Sequence, residues 1–352
     1  MSRTTEWPMV SVVVPARDEA RSLPGCLETI LAQDYPADRL EVLVVDGGSR
    51  DGSRAIASGY ARRDPRLRVL GNPAGTIPAG LNVGIRASRG DVLARVDART
   101  RLAPDYLATG VRLLQETGAS NVGGPVRSVS PGYRARVLAL ALESRFGMSG
   151  AAVRYGAGAH REVDTVYLGM YPRRVLDAIG LYDEELVRDQ DDELNYRLRA
   201  RGGRVLLSPA LRTSYLNSAS LSRFVRQNFL YGYWKVRVWQ EHAGMTSWRH
   251  FVPPLFVLGL LAGPVLARRV PAARLVWRAS LAAYGLGALG AAGAAGRRAG
   301  WRYAGGLPVV FGLLHVSWGL GFLAGLVRLG PRRLARGRSG PVAAAGAGKA
   351  VA

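Results

Sequence analysis

Four short runs of apolar, largely β-branched residues punctuate the first hundred positions: 10–14 (VSVVV), 41–45 (EVLVV), 67–70 (LRVL) and 91–96 (DVLARV). Runs this short and apolar have the pattern of buried strands. Between the first two, Leu23, Leu27, Ile30 and Leu31 fall on one helical face, with Ser22 placed to cap the helix and Pro24 in its first turn. A second helix is expected after Asp51, and a third carrying Leu81 and Ile85. This alternation predicts a parallel sheet with right-handed crossovers, whose ligands bind at the carboxyl ends of the strands.

From 104 to 240 the pattern is mixed α/β. Helices are expected at 104–116 and 189–200, and a short strand at 205–207. The stretch 221–241 interleaves Phe224, Phe229, Tyr231, Tyr233, Trp234 and Trp239 with Arg223, Arg226, Lys235 and Arg237. Rings alternating with cations suit a helix in the lipid head-group layer, although a packing helix with a solvated basic face reads the same way. Three longer apolar runs follow, at 251–267, 279–296 and 305–327, with no acidic residue. A spanning helix needs about 20 apolar residues. The third run meets this; the first contains Pro253, Pro254 and Pro264, and the second is rich in Ala and Gly. Buried soluble helices are the alternative, but three in series without an acid favour membrane helices. Arginines flank each run, so charge alone gives no clean orientation.

Charge sharpens this division. The 352 residues carry a net charge of +22, and the only lysines are Lys235 and Lys349. Residues 1–250 hold 35 basic against 26 acidic residues, whereas 251–352 hold thirteen basic and none acidic. Basic segments interleaved with apolar runs suit anionic lipid rather than nucleic acid. The single cysteine, Cys26, excludes an internal disulfide and a cysteine-built zinc site, and His160, His242, His250 and His315 lack metal-ligand spacing. No basic flank precedes an apolar core near the start, so no signal peptide is expected and the N-terminal part should stay in the cytoplasm.

Candidate chemistry lies at the strand ends. Pro15 stops the first strand, and Arg17 and Glu19 follow it, where Glu19 can accept from a ribose and Arg17 can pair with phosphate. The second strand ends in Asp46-Gly47-Gly48-Ser49-Arg50-Asp51. Glycines here let a flat base approach the backbone, and Asp46 can accept a pyrimidine imide N–H. Ser49 and Asp51 can cap the next helix. Asn82, between Gly80 and Gly84, offers an amide. Asp97 and Arg99 end the fourth strand, where a carboxylate can hold a divalent cation against a diphosphate. Four acids crowd Asp189-Gln190-Asp191-Asp192-Glu193. They read either as a helix start favoured by the macrodipole or as the source of a general base. Gly285-Leu-Gly287-Ala-Leu-Gly290 matches a dinucleotide fingerprint, but no strand precedes it.

In order, the strings SVVVPARDEA, VLVVDGGSRDGS, AGLNVGIRASRGDVLARVDAR, GMYPRRVLDAIGLYDEEL and RDQDDELNYRLRARGG resemble the family 2 glycosyltransferases over about residues 8–235. VDTVYLGMYPR, RDQDDELNYRL and the apolar tail look most like the succinoglycan-type exopolysaccharide glucosyltransferases. The resemblance implies a GT-A fold: an α/β, mixed but mainly parallel sheet flanked by helices, followed by C-terminal membrane helices. It implies a GT-A catalytic domain at 1–218, an amphipathic interfacial region at 219–250, a transmembrane region at 251–329, and a basic Gly/Ala-rich tail at 330–352 expected to be disordered.

By the same resemblance, Asp46 contacts uracil, Pro15 and Glu19 match the first-strand Pro and acid, and Asp97 leads the metal motif. Asp191 is the base, with Asp192 its rival. Pro15, Arg17, Glu19, Asp46, Gly48, Asp51, Asn82, Asp97 and Arg99 form the expected donor site. Two departures stand out: Arg99 replaces the second metal-motif acid, which weakens the case for Mg or Mn, and Gln190 replaces the Glu before the base. The Gln-x-x-Arg-Trp pattern of processive synthases is not evident after Gln227, so addition of a single sugar is expected. The implied activity is inverting transfer from a nucleotide-diphospho-sugar, UDP-linked by resemblance, to a lipid-linked or polysaccharide acceptor. The implied place is the cytoplasmic face of the inner membrane, with multi-pass attachment and anionic lipid as a partner. The alternative is a catalytically degenerate scaffold that binds the nucleotide-sugar. A nucleotidyltransferase would need a Gly-rich triphosphate loop where Pro-Ala-Arg-Asp-Glu stands.

Overall fold

The computed structural model describes residues 7–129, 132–147, 159–216 and 220–329. The four apolar runs become β1 (Val10–Ala16), β2 (Leu40–Asp46), β3 (Leu67–Gly71) and β4 (Val92–Arg95), joined by α1 (Leu23–Leu31), α2 (Ser53–Ala61) and α3 (Ile77–Ala87). Next come β5 (Thr100–Leu102), α4 (Tyr106–Thr117), β6 (Asn121–Gly124), β7 (Val126–Val129), α5 (Tyr133–Glu143), β8 (Arg161–Glu162) and β9 (Tyr167–Pro172). The α/β part closes with α6 (Arg173–Ile179), α7 (Gln190–Ala200), β10 (Val205–Leu207) and β11 (Thr213–Leu216). Four long helices follow: α8 (Leu221–Glu241), α9 (Val252–Arg269), α10 (Pro271–Ala299) and α11 (Leu307–Arg328).

The main sheet has the order β3-β2-β1-β4-β9-β6-β10-β8. Its first four strands are parallel, and β9 runs antiparallel to both β4 and β6. A smaller sheet has the order β5-β11-β7. Both faces of the main sheet are covered. Val12, Val14, Val42 and Val44 share a core with Leu23, Leu27 and Ile30, while Val13, Leu43 and Val45 share another with Leu81, Leu176 and Leu194. Burial on both faces is why the strands read as continuous apolar runs rather than alternating ones.

Local departures from the sequence reading have simple causes. Pro15 does not stop β1, which runs on to Ala16 with Pro15 opposite Val45. The ladder to β4 has ended by Val13, so the missing N–H of Pro15 leaves no gap on that side. Ser22 stands at the N-cap position of α1, but its hydroxyl donates to the Glu19 carboxylate at 2.8 Å instead of capping a backbone N–H.

Helix α8 has the bounds its pattern predicts, but it is not a free amphipathic helix: it lies against α11. A Cβ on Gly232 would collide with the Trp318 carbonyl, and one on Gly321 with the Phe229 carbonyl. Small residues allow the two backbones this close an approach. By length and composition, three segments could cross a membrane: Trp248–Arg269, Pro271–Ala299 and Trp301–Arg328. The basic tail at 330–352 lies outside the described residues.

Gly321→Leu should lower the thermal unfolding midpoint of the detergent-solubilised protein, because overpacking costs about 1–3 kcal/mol even where no backbone is struck. Gly293→Leu should not, since a Cβ at Gly293 meets nothing within 4 Å. Equal midpoints for the two variants would contradict the close α8–α11 crossing.

Candidate active site

The loops after β1 and β2 are latched to each other. The Asp18 N–H donates to Ser49 Oγ (3.0 Å), the Arg50 N–H to Asp18 Oδ1 (2.8 Å), the Glu19 N–H to Ser53 Oγ (2.8 Å) and the Ala20 N–H to Asp51 Oδ2 (2.9 Å). Asp18 adopts φ 54° to make this turn, a conformation that Asp tolerates better than most residues. Asp51 is an exposed clasp: bonds from the Ser53 hydroxyl and the Ala20 N–H hold its carboxyl below the ordinary value. Behind this clasp, Asp46 is 3% exposed at the end of β2, with the Ser49 N–H at 3.3 Å and the Arg54 guanidinium at 3.7 Å. Gly48, at φ 77°, leaves open space beside it, and Arg17 reaches across to the Gly75 carbonyl at 3.1 Å.

The end of β4 meets the start of α7 through one guanidinium. Arg95 is 6% exposed. Its Nε donates to Asp97 Oδ1 at 3.0 Å, and its terminal nitrogen is in close contact with Asp191 Oδ1. Tyr167 of β9 donates its hydroxyl to the other Asp97 oxygen at 3.1 Å. Burial pushes the Asp191 carboxyl up to about 6; Arg95 opposes the rise, and Asp97 and Asp192 add to it. A carboxylate poised near 6 is mostly ionised at neutral pH yet basic enough to take a proton.

The other crowded acids are each assigned a cation. Lys235 of α8 lies 3.4 Å from Asp189 and 3.6 Å from Asp192. Burial raises Asp189 to about 6, against the pull of Lys235 and with a push from Asp192. Glu193 pairs with Arg197 (2.6 Å) and His242 (3.3 Å). Burial alone would lift its carboxyl, but His242 and Arg197 outweigh burial and hold it low. Asp189 takes φ 60° at the N-cap of α7, which turns its side chain toward α8. Lys235 is therefore not a head-group cation as its pattern suggested, but a buried counter-ion of the acidic cluster.

Three expected donor-site residues, Arg99, Glu19 and Asn82, are engaged elsewhere. Arg99 does not stand free for a phosphate: its guanidinium grips Glu19, with Nε 2.8 Å from both carboxylate oxygens. Asn82 is 2% exposed, and its amide donates to the Tyr182 carbonyl (2.9 Å) and to Glu184 (2.8 Å) while accepting from the Tyr182 N–H (3.0 Å). It fastens α3 to the loop before α7. Pro15, Arg17, Asp46, Gly48, Asp51 and Asp97 line the strand ends, and Asp191 joins them through Arg95. Arg95 and Tyr167 received no role from the sequence, and Lys235 only one among the cations of 221–241. Arg95 sits two residues before Asp97 in the same quoted string, but a strand arginine gives no signal of which acid it will meet.

Among the described residues, no group of three His, Cys, Asp or Glu side chains could hold a metal ion. Asp97 keeps lone pairs beyond its bonds to Arg95 and Tyr167. The site therefore fits an ion that takes one carboxylate from the protein and its other ligands from phosphate and water, the habit of Mg2+.

Residues 11–177 match the family model described as glycosyl transferase family 2. The chain is 29% identical over 319 residues to the succinoglycan biosynthesis protein ExoA of Rhizobium meliloti (strain 1021), covering 88% of this chain and 93% of that one. It is 24% identical over 231 residues to a dolichyl N-acetyl-alpha-D-glucosaminyl phosphate 3-beta-D-2,3-diacetamido-2,3-dideoxy-beta-D-glucuronosyltransferase of Methanococcus voltae, covering 63% of this chain and 71% of that one. In fold it is similar to the mannosyltransferase PcManGT of Pyrobaculum calidifontis, solved with GDP-Man and Mn2+, at a TM-score of 0.59 and 21% identity over 91% of this chain and 88% of that one.

Asn82→Ala should destabilise the protein by about 1–3 kcal/mol, because the Tyr182 N–H is left buried and unpaired. The donor KM should stay within about threefold. A raised donor KM with an unchanged unfolding midpoint would instead place Asn82 in the donor site.

Proposed function

The chain belongs to glycosyl transferase family 2, has the GT-A fold and is a glycosyltransferase, and on that premise we propose inverting transfer of one sugar. The donor is a nucleotide-diphospho-sugar and the acceptor is a hydroxyl of a lipid-linked or polysaccharide glycan. The observation that carries this reading is the Arg95 bridge, which brings a strand-end carboxylate, Asp97, to the carboxylate of Asp191 on another element.

A base lies against Gly47 and Gly48 with its imide N–H on Asp46, which favours uridine. The diphosphate lies toward Asp97. A Mg2+ or Mn2+ ion held there by Asp97 and phosphate oxygens would offset the charge that develops on the leaving group. Asp191 takes the proton of the acceptor hydroxyl, whose oxygen bonds to the anomeric carbon. The bond from that carbon to the phosphate oxygen breaks, and its electron pair leaves with the nucleoside diphosphate. Arg95 keeps Asp191 ionised and aimed. Asp192 is the rival base; it lies 3.6 Å from Lys235 and is not in the Arg95 bridge to Asp97. The likeness to an exopolysaccharide protein and the C-terminal apolar helices support attachment to the cytoplasmic membrane, with the α/β domain on the cytoplasmic face.

The test is release of nucleoside diphosphate by purified protein given UDP-sugars and a lipid extract. Asp191→Asn should lower kcat by about 10²–10⁴-fold, the usual contribution of a positioned base. In the unmodified protein, kcat should fall as pH drops through about 6, where Asp191 takes up its proton. Full activity in Asp191→Asn with loss in Asp192→Asn would assign the base to Asp192. A flat profile between pH 5 and 8 would contradict a carboxylate base poised as Asp191 is.

A further inference from the structure

The three apolar helices that could cross a membrane are not equivalent. Only 17% of the apolar window is buried within the protein for α9 and for α10, against 50% for α11. The first half of α11 shares a core with the α/β domain: Leu307, Phe311 and Leu314 pack with Val137 and Leu138 of α5 and Phe224 of α8. The second half lies against α8, where Gly321 and Gly325 abut the carbonyls of Phe229 and Tyr233, and Gln240 donates to the Leu329 carbonyl at 3.2 Å. Early residues of α8 meet early residues of α11, and late meet late. The two helices are parallel neighbours along their length.

That pairing fixes how deep α11 can sit. Gly232 of α8 meets Trp318 and Phe322 in the middle of α11. Lys235, one turn on, holds Asp189 and Asp192 of the active site. A helix of 22 residues spans about 33 Å, close to the ~30 Å hydrocarbon core. If α11 crossed, its midpoint would lie at the bilayer centre. By this register Arg226 of α8 would lie near that depth, and Lys235 with its two acids about 10 Å from it, still within the hydrocarbon. Charge there is disfavoured, more so for a cluster belonging to a site that must admit polar substrates. Among the described residues, the outer parts of α9 and α10 carry Arg268, Arg269, Arg274 and Arg278 about their shared turn but no acidic residue and no part of the active site. These present Leu258, Leu261, Val265, Leu275 and Val276 outward, all at least 45% exposed. Trp248 and Trp301 flank the pair, where indoles favour the membrane–water interface.

We propose that only the α9–α10 hairpin crosses the bilayer, while α11 lies with α8 in the head-group layer as part of the catalytic unit. The chain beyond residue 329 then stays on the active-site face. Two crossings and three alike export Arg268, Arg269, Arg274 and Arg278 around the α9–α10 turn, so charge separates them only through the tail. From residue 328 to the end, the sequence holds six basic residues and no acidic one. Two crossings keep this segment on the cytoplasmic face, as the positive-inside rule favours, whereas three would export it. The inference rests on the membrane attachment proposed above.

The test uses the full chain in cells, with single-cysteine variants Arg62→Cys on α2's outer end, Val270→Cys between α9 and α10, and Ser339→Cys in the tail. A membrane-impermeant maleimide is applied to intact and permeabilised spheroplasts, with the parent chain as background because Cys26 is buried. Nucleoside diphosphate release by each variant confirms that the fold is kept. The expected result is that position 270 labels in intact spheroplasts while 62 and 339 label only after permeabilisation. Labelling of 339 together with 270 in intact spheroplasts would overturn the two-crossing arrangement. So would labelling of 270 only after permeabilisation. Recovery of every variant in the soluble fraction would overturn the attachment and the crossing together.

Discussion

A buried guanidinium shared between two carboxylates couples the halves of this active site. Asp97 belongs to the parallel β1–β4 sheet, and Asp191 to a helix that arrives almost a hundred residues later. Neither acid would tolerate burial beside the other without a cation between them. Arg95 supplies that cation from within β4 itself, so the position of Asp191 is set by the sheet rather than by the loop that leads to α7. Removing one partner of such a group leaves a buried charge uncompensated, at a typical cost of 3–5 kcal/mol. The arrangement therefore serves geometry more than net stability: Arg95 opposes the rise that burial imposes on the Asp191 carboxyl and ties it to the end of β4.

The same logic runs outward to the membrane. The four acids of 189–193 are divided among separate cations: Arg95 of the sheet on Asp191, Lys235 of α8 on Asp189 and Asp192, and Arg197 and His242 on Glu193. Lys235 lies one turn from Gly232, where α8 touches α11. The path from apolar C-terminal helix to base is thus a chain of direct contacts: α11 on α8, Lys235 on Asp189 and Asp192, and Asp191 between them on Arg95. Under the proposed function, packed helices fix the height of Asp191 relative to the apolar helices.

Much of this was legible in the sequence, for stated reasons. β1, β2 and β4, buried on both faces, announce themselves as unbroken apolar runs, and the edge strand β3 by the short run 67–70; all four lie within two residues of the expected bounds. Asp46 stood out as a carboxylate next to glycines at a strand end, Asp97 as an acid at a strand end, and Asp191 as one of four crowded acids. The short strands β5 to β9 and β11 were not found. They carry two to six residues each, and β9 enters the sheet antiparallel, which no local pattern encodes. Partnerships were the least legible. Arg99 and Glu19 were read as separate ligand contacts, yet they lie 80 residues apart and close on each other. Lys235 looked like one more cation among aromatic rings. Only the fold reveals that it turns inward, and that Asn82 spends its amide on the backbone of Tyr182.

The coupling through Arg95 is tested most directly by the pH dependence of kcat in Arg95→Met, measured beside the unmodified protein. Loss of an adjacent positive charge should raise the pKa of Asp191, so the acidic limb of the profile should move upward by about one to three pH units. A limb that stays where it is in the unmodified protein would mean that Arg95 does not govern the base, and would break the link between the strand-end acid and the helix that faces it.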